Sequence, residues 1–255
     1  MLLQTVTNNE LCAPSIIGVN AGAGFFVMLT LCLFPMLWKL LPMAAFLGAL
    51  LTAFAVLSVT RLNGNRTQKT TLVLAGVALS SLLNAGISFL SLKYPDTLSS
   101  YTAFSVGGFS GVQMKQLGIP SAFIAILFLI ALFAAPKIHM LCLGDEAAAS
   151  LGVNVRRIRN LSVIIASGLC AAVVSFAGLL GFAGLIVPHI VRRIYGGGLR
   201  AQLCLSSMFG ALIVALSDLI GRIIFSPWEL PAGIIMAFIG APFFLYLIVR
   251  RKKHD

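Results

Sequence analysis

Six stretches of this chain run for 20 residues or more without an Asp, Glu, Lys or Arg: 11–38, 40–60, 70–92, 116–136, 160–191 and 230–249. A seventh, 201–217, ends only at Asp218. A bilayer core of about 30 Å takes roughly 20 apolar residues as a helix, so each run has the length of a membrane crossing. The run 160–191 is too long for one upright helix, and Gly178, Gly181 and Gly184 followed by Pro188 mark a turn inside it. It reads as two crossings joined by that turn. The spans expected are therefore eight, near 15–36, 40–60, 70–91, 119–136, 159–177, 182–195, 201–220 and 232–249. With 59% apolar and 10% charged residues, the chain is an all-α polytopic helical bundle, a single transmembrane domain over 1–255.

The net charge of +11 then becomes a statement about orientation. With eight spans both termini face one side. Fourteen of the 18 basic residues lie there: Arg61, Arg66, Lys69, Lys137, Arg156, Arg157, Arg159, Arg192, Arg193, Arg200, Arg250, Arg251, Lys252 and Lys253. Only Lys39, Lys93, Lys115 and Arg222 face the other. Basic loops stay in the cytoplasm, so the C-terminus and the loops near 65, 147 and 198 are expected inside. The partner this charge implies is membrane lipid and not nucleic acid. Five cysteines, Cys12, Cys32, Cys142, Cys170 and Cys204, sit singly in apolar surroundings and read as small core residues. Met1 to Pro14 has neither a basic start nor a small-residue cleavage site, so it is no signal peptide.

Four segments carry more than hydropathy. The cytoplasmic loop 143–159 has Gly144, Asp145 and Glu146 as a helix start, then alanines, then Gly152 as a stop. A short surface helix there serves either as a docking element or as a solvated connector. Gly76, Ser80, Asn84 and Ser88 recur every four residues on one face of the third span. Such a stripe suits close helix packing or the wall of a polar path. Asp218 and Arg222 are one turn apart and read as a structural ion pair more readily than as a proton relay. His189 reads as a core histidine. The external stretch 101–111 is too short and glycine-rich to span and reads as an interfacial helix or a lid. Gly240 and Pro242 should bend the last span. No P-loop, HExxH, GxSxG or paired-carboxylate motif occurs, so neither an intramembrane enzyme nor a resident cofactor or metal is expected.

Three of these segments together resemble one family, the FecCD-type permease subunits of ATP-driven importers for iron-siderophore complexes, haem and cobalamin. Gly144 to Arg159 resembles its cytoplasmic coupling segment, with Glu146-Ala147-Ala148 and Gly152 in the EAA-x3-G pattern, though without the I-x-L-P that often follows. GFAGLIVPHIVRR, 181–193, resembles its glycine-rich turn and VPH segment, and residues 218–251 resemble its C-terminal signature. Gln4, Asn9, Leu11, Pro14, Gly18, Gly22 and Ala23 align with a segment that follows the second of ten spans in relatives, with Glu10, Cys12 and Asn8 as departures. On that alignment the chain lacks roughly seventy residues, about two spans, at its start.

The resemblance implies a paired, homodimeric permease in a bacterial plasma membrane, two cytoplasmic ATPase subunits and an extracytoplasmic substrate-binding protein. It implies that Gly144, Asp145, Glu146, Ala147, Ala148, Leu151 and Gly152 couple to the ATPase. Gly76, Ser80, Asn84 and Ser88 would line the translocation path with Gly233 and Gly240, and Gly107 and Gly108 would stand at the outer gate. Iron-siderophore complexes are the expected cargo, with cobalamin or haem as alternatives. A proton-coupled secondary transporter built on Asp218 and a non-functional truncated copy are the readings of a different class.

Overall fold

A computed structural model describes residues 1–10, 12–62, 68–224 and 228–251, with side chains given only outside 61–62, 68–69 and 246–251 and at positions other than Trp38. Leu11, Arg66, Pro227, Lys252 and Lys253 lie outside the described residues. Everything regular among the described residues is helical. In order come α1 (Leu2–Thr7), α2 (Val19–Leu33), α3 (Leu41–Leu62), α4 (Gln68–Lys93), α5 (Leu98–Val106), α6 (Met114–Met140), α7 (Asp145–Ser150), α8 (Val155–Ala177), α9 (Ala183–Ile194), α10 (Leu199–Ile224) and α11 (Ala232–Arg251).

Each expected span is matched by a helix, but they are not of equal length. Among the described residues five helices are long and apolar enough to cross a membrane: 41–60, 70–93, 114–143, 155–177 and 199–224. At 1.5 Å per residue, α2 with 15 residues rises about 22 Å and α9 with 12 about 18 Å, short of a full crossing. The expected break in 160–191 is present: α8 ends at Ala177, Gly178 takes a left-handed φ of +68°, and α9 starts at Ala183. Helix α6 overruns its expected bounds because Pro120 and Pro136 are accommodated inside it, as apolar helices in membranes allow. Helix α11 likewise continues through Pro242.

Helix α8 is the axis of the bundle, with 61% of its membrane window buried against 6% for α6 and 11% for α10. It contributes to all three apolar clusters: Ile165 packs with Leu2, Ile138 and Leu199; Ala171 and Val174 with Val27 and Ala49; and Val163 with Ile17, Val56 and Leu72. The small residues explain how closely the helices around it can approach. A Cβ on Gly22 would stand 1.9 Å from Thr52 Oγ1 and 2.5 Å from the Gly48 carbonyl, so α2 and α3 meet backbone to backbone. The short α1 is wholly buried, and Gln4 Nε2 donates to the Gly184 carbonyl at 3.2 Å.

The cysteines divide. Cys12 is buried and Cys32 and Cys170 half-buried, but Cys142 and Cys204 are exposed, against the expectation of five core residues. Cys142 lies in the turn before α7 and Cys204 on the outward side of α10, places where apolar character in the sequence marks lipid-facing or loop surface as readily as core.

Candidate functional site

Two constellations stand at opposite ends of α8. At its N-terminal end, the six-residue α7 is held between glycines. Gly144 has φ +102° and Gly152 φ +79°, a backbone region that glycine enters without steric cost. Gly144 accepts from the Ala148 N–H at 3.0 Å, and Gly152 and Val153 donate to Ala149 and Ala148 at 2.9 and 3.1 Å. Asn154 then caps α8, accepting from the Arg157 N–H at 3.0 Å. Of the predicted coupling residues, only Ala148 is fully buried, packed with Leu141, Ile138 and Leu199. Asp145, Glu146, Ala147, Leu151 and Gly152 are exposed. The helix is thus anchored by one alanine and offers a carboxylate and a leucine outward, Leu151 at 59% exposure.

A second anchor was not visible as such in the sequence. Arg159, in the first turn and a half of α8, is 5% exposed. Its Nη2 donates to both carboxylate oxygens of Asp145, at 2.7 and 2.9 Å, joining α8 to the first residue of α7. Reading the chain for orientation treats Arg159 as one more cytoplasmic charge. The signal that could have separated it is its position: Asp145 and Arg159 flank a helix too short to reach far, so the turn brings them together.

The other end of α8 forms a junction made of backbone. Gly108 N–H donates to the Ala177 carbonyl at 2.8 Å, Leu179 N–H to Phe104 at 3.3 Å, and Gly233 N–H to Gly107 at 3.1 Å. These bonds clasp the end of α5, the turn after α8 and the start of α11. Glycine is required sterically. A Cβ on Gly233 would lie 1.8 Å from the Val106 carbonyl oxygen, one on Gly178 2.4 Å from that of Phe104, and one on Gly107 2.8 Å from that of Leu179. Gly107 also takes φ +71°. Ser110 Oγ donates to Glu229 Oε2 at 2.5 Å across the same corner. The pair Gly107 and Gly108 and the path candidate Gly233 therefore meet at one place, together with Gly178, which sequence reasoning saw only as a turn.

The remaining candidates are dispersed. Gly76 is buried, a Cβ there falling 2.3 Å from the Ile16 carbonyl, and Ser80 Oγ donates to Gly76 at 2.7 Å while facing Gly18. Asn84 and Ser88, further along the same stripe, are exposed. Gly240 makes room for Phe182, whose Cβ would come within 2.4 Å of a Cβ there. Phe182 itself sits at φ +61°, a rare conformation for a bulky residue, in the turn before α9. Arg222 Nε lies 2.8 Å from Asp218 Oδ2, both partly exposed on α10. His189 is half-buried with its ring edge-to-face with Phe243, the centroids 6.1 Å apart. Among the described residues no group of three or more His, Cys, Asp or Glu is placed to hold a metal ion.

A family profile described as the FecCD transport family matches residues 1–250. Among curated relatives, the Fe(3+)-citrate import system permease protein YfmE of Bacillus subtilis (strain 168) is 35% identical over 248 residues, 97% of this chain and 74% of that protein. The cobalamin import system permease protein BtuC of Halobacterium salinarum is 36% identical over 251 residues, 98% of this chain and 67% of that protein. Among solved structures, a metal-chelate type ABC transporter in an inward-facing conformation superposes with a TM-score of 0.89 at 28% identity, covering 98% of this chain and 79% of that one.

Proposed function

The chain belongs to the FecCD transport family, and from that premise we propose that it is the permease subunit of an ATP-binding-cassette importer carrying iron-siderophore complexes into the cytoplasm. It is an integral membrane transporter subunit, and ATP hydrolysis falls to a partner. On this reading two copies pair around a central path, two cytoplasmic ATPase subunits dock below, and an extracytoplasmic binding protein delivers the chelate above. The C-terminus is cytoplasmic, in keeping with the distribution of basic residues.

The observation that carries the proposal is α7: a short helix between two glycines of positive φ, anchored to the bundle through buried Ala148, with Glu146 and Leu151 exposed. An element so attached supports docking in a groove of an ATPase better than it supports a passive connector, which would need no buried anchor. Coupling also needs a two-state element that nucleotide binding biases. The glycine junction at the far end of α8, with Gly107 and Gly108, is the corresponding candidate for the outer gate. Gly233, Gly240 and the stripe of Gly76, Ser80, Asn84 and Ser88 remain the candidates for the path, Asn84 and Ser88 being the members whose side chains are open.

The test is Glu146→Arg in cells taking up radiolabelled ferric citrate. Uptake and stimulation of the ATPase should be lost while the subunit still inserts in the membrane. Unchanged uptake would sink the coupling assignment. Sidedness is read from exposed Cys142: an impermeant maleimide should label it in inverted vesicles and not in intact spheroplasts.

A second cargo has specific support. The relative named for cobalamin import is as similar to this chain as the one named for Fe(3+)-citrate import. Cobalamin competing with ferric citrate for uptake, or replacing it, would move the assignment within the same class.

A further inference from the structure

We propose that Arg159 is a positioning residue that locks α7 to α8, so that a displacement of the coupling helix moves α8 as one body with it. The proposal rests on the reading above that α7 meets an ATPase. Without Arg159, α7 is a six-residue helix between two glycines at φ +102° and +79°, with nothing within 4 Å of where a Cβ would stand at either. Such a linkage can swing about its ends and absorb a push. Its turn hydrogen bonds and Ala148 fix one face only. Asp145 is the first residue of α7, whereas the Val153 bond closes its other end. Arg159 seizes the Asp145 carboxylate with two contacts of 2.7 and 2.9 Å from a guanidinium whose side chain is 6% exposed.

What α8 does with the movement follows from its length and neighbours. Its 23 residues rise about 34 Å, and its last residue and the turn after it are clasped by the backbone bonds to Gly108 and Phe104. A rod buried along most of its length, in contact with α3 and α6, transmits a tilt or shift better than it bends. The device is therefore a lever: the charge pair joins the push to the rod, and the glycine junction receives it.

The experiment uses the purified permease with its ATPase partner, in a background of Cys142→Ser and Cys204→Ser. Spin labels at Ser150→Cys on α7 and Leu161→Cys on α8 report their separation with and without ATP and vanadate. In the parent a narrow distance distribution should persist in both states. Arg159→Met should broaden it, and Arg159→Lys should restore most of the narrowing. In proteoliposomes, ATP hydrolysed per ferric citrate transported should rise about tenfold in Arg159→Met, the scale of a typical coupling between sites, and return toward the parent ratio in Arg159→Lys. A purely structural role would lower the yield of complex and leave that ratio alone. An unbroadened distribution in Arg159→Met, or an unchanged ratio, overturns the proposal. If the parent complex transports no ferric citrate, that chelate is excluded as its cargo; the α7 to α8 distances still decide the role of Arg159.

Discussion

Replacing Gly233 by alanine tests whether the junction between α5, α8 and α11 is held by backbone contact. Helix propensity alone makes the change favourable, because Ala in a helix is better than Gly by about 1 kcal/mol. The structure predicts the reverse. The added methyl would stand 1.8 Å from the Val106 carbonyl oxygen and 3.0 Å from that of Gly107. Backbone carbonyls cannot rotate away as a flexible side chain can, so α5 or the start of α11 must move. That shift strains two bonds that pass through the same residues, Gly233 N–H to Gly107 and Gly108 N–H to Ala177. Overpacking a tight site costs about 1–3 kcal/mol. Each weakened hydrogen bond adds about 0.5–1.5 kcal/mol. After the propensity gain is subtracted, a net loss of about 1–5 kcal/mol is expected. Gly118 is the control, a glycine inside α6 with nothing within 4 Å of its would-be Cβ, where alanine should be neutral or stabilising. Thermal unfolding of the purified proteins in one detergent compares them. Gly233→Ala melting at or above the parent temperature, alongside Gly118→Ala, would refute the account of the junction.

Other expectations are as direct. Gly76→Ala should destabilise, since its Cβ meets the Ile16 carbonyl at 2.3 Å, whereas Asn84→Leu on the same stripe should leave the melting temperature nearly unchanged. If Asn84→Leu also leaves ferric citrate uptake intact, its side chain does not line the path. Asp218→Asn removes a partly exposed ion pair worth no more than about 1 kcal/mol, so stability should change little. Uptake in that variant should stay dependent on ATP and indifferent to a proton gradient, and loss of a pH-driven component would revive a secondary-transport mechanism. Gly152→Ala adds a methyl that touches nothing within 4 Å in the isolated subunit, yet must hold φ +79° at a cost of about 1–2 kcal/mol. Gly152→Trp should assemble as well as Gly152→Ala but lose far more uptake, because only the larger side chain obstructs a docking partner; equal uptake would argue that the partner does not approach there.

The charge-free runs made the long helices legible because a bilayer leaves a chain few alternatives to helix. The split of 160–191 was legible for the same reason joined to a length limit: one helix could not use the whole run, and Gly178 supplied the left-handed turn. Span length was less so. Helix α2, expected over 15–36, is cut to Val19–Leu33 and begins only after Gly18 at φ +88°, a boundary that a hydropathy count passes over, whereas α9, expected over 182–195, runs Ala183–Ile194. The glycine stripe was legible as a pattern but ambiguous as to role, since period four places residues on one face without saying what covers it. The structure divides that stripe along its length, with Ile16 to Gly18 covering Gly76 and Ser80 and leaving Asn84 and Ser88 open.

The two features hidden from the sequence, the Arg159 clasp and the glycine junction, were hidden for one physical reason. Each is made by segments that contact across a fold, 14 residues apart at one end and between 69 and 126 at the other, and the sequence offers several candidate partners for each residue. Glycine at 107, 178 and 233 reads in each local window as a turn or a helix start. What unites the three is the absence of a Cβ where carbonyls of another segment arrive. A backbone junction of this kind also differs in mechanics from side-chain packing. Carbonyls and amides have no rotamers to trade, so a displacement of one segment strains these bonds directly. On the proposed reading, in which Gly107 and Gly108 stand at the outer gate, a movement of α8 would reach these backbone bonds directly, with no side chain in between to absorb it.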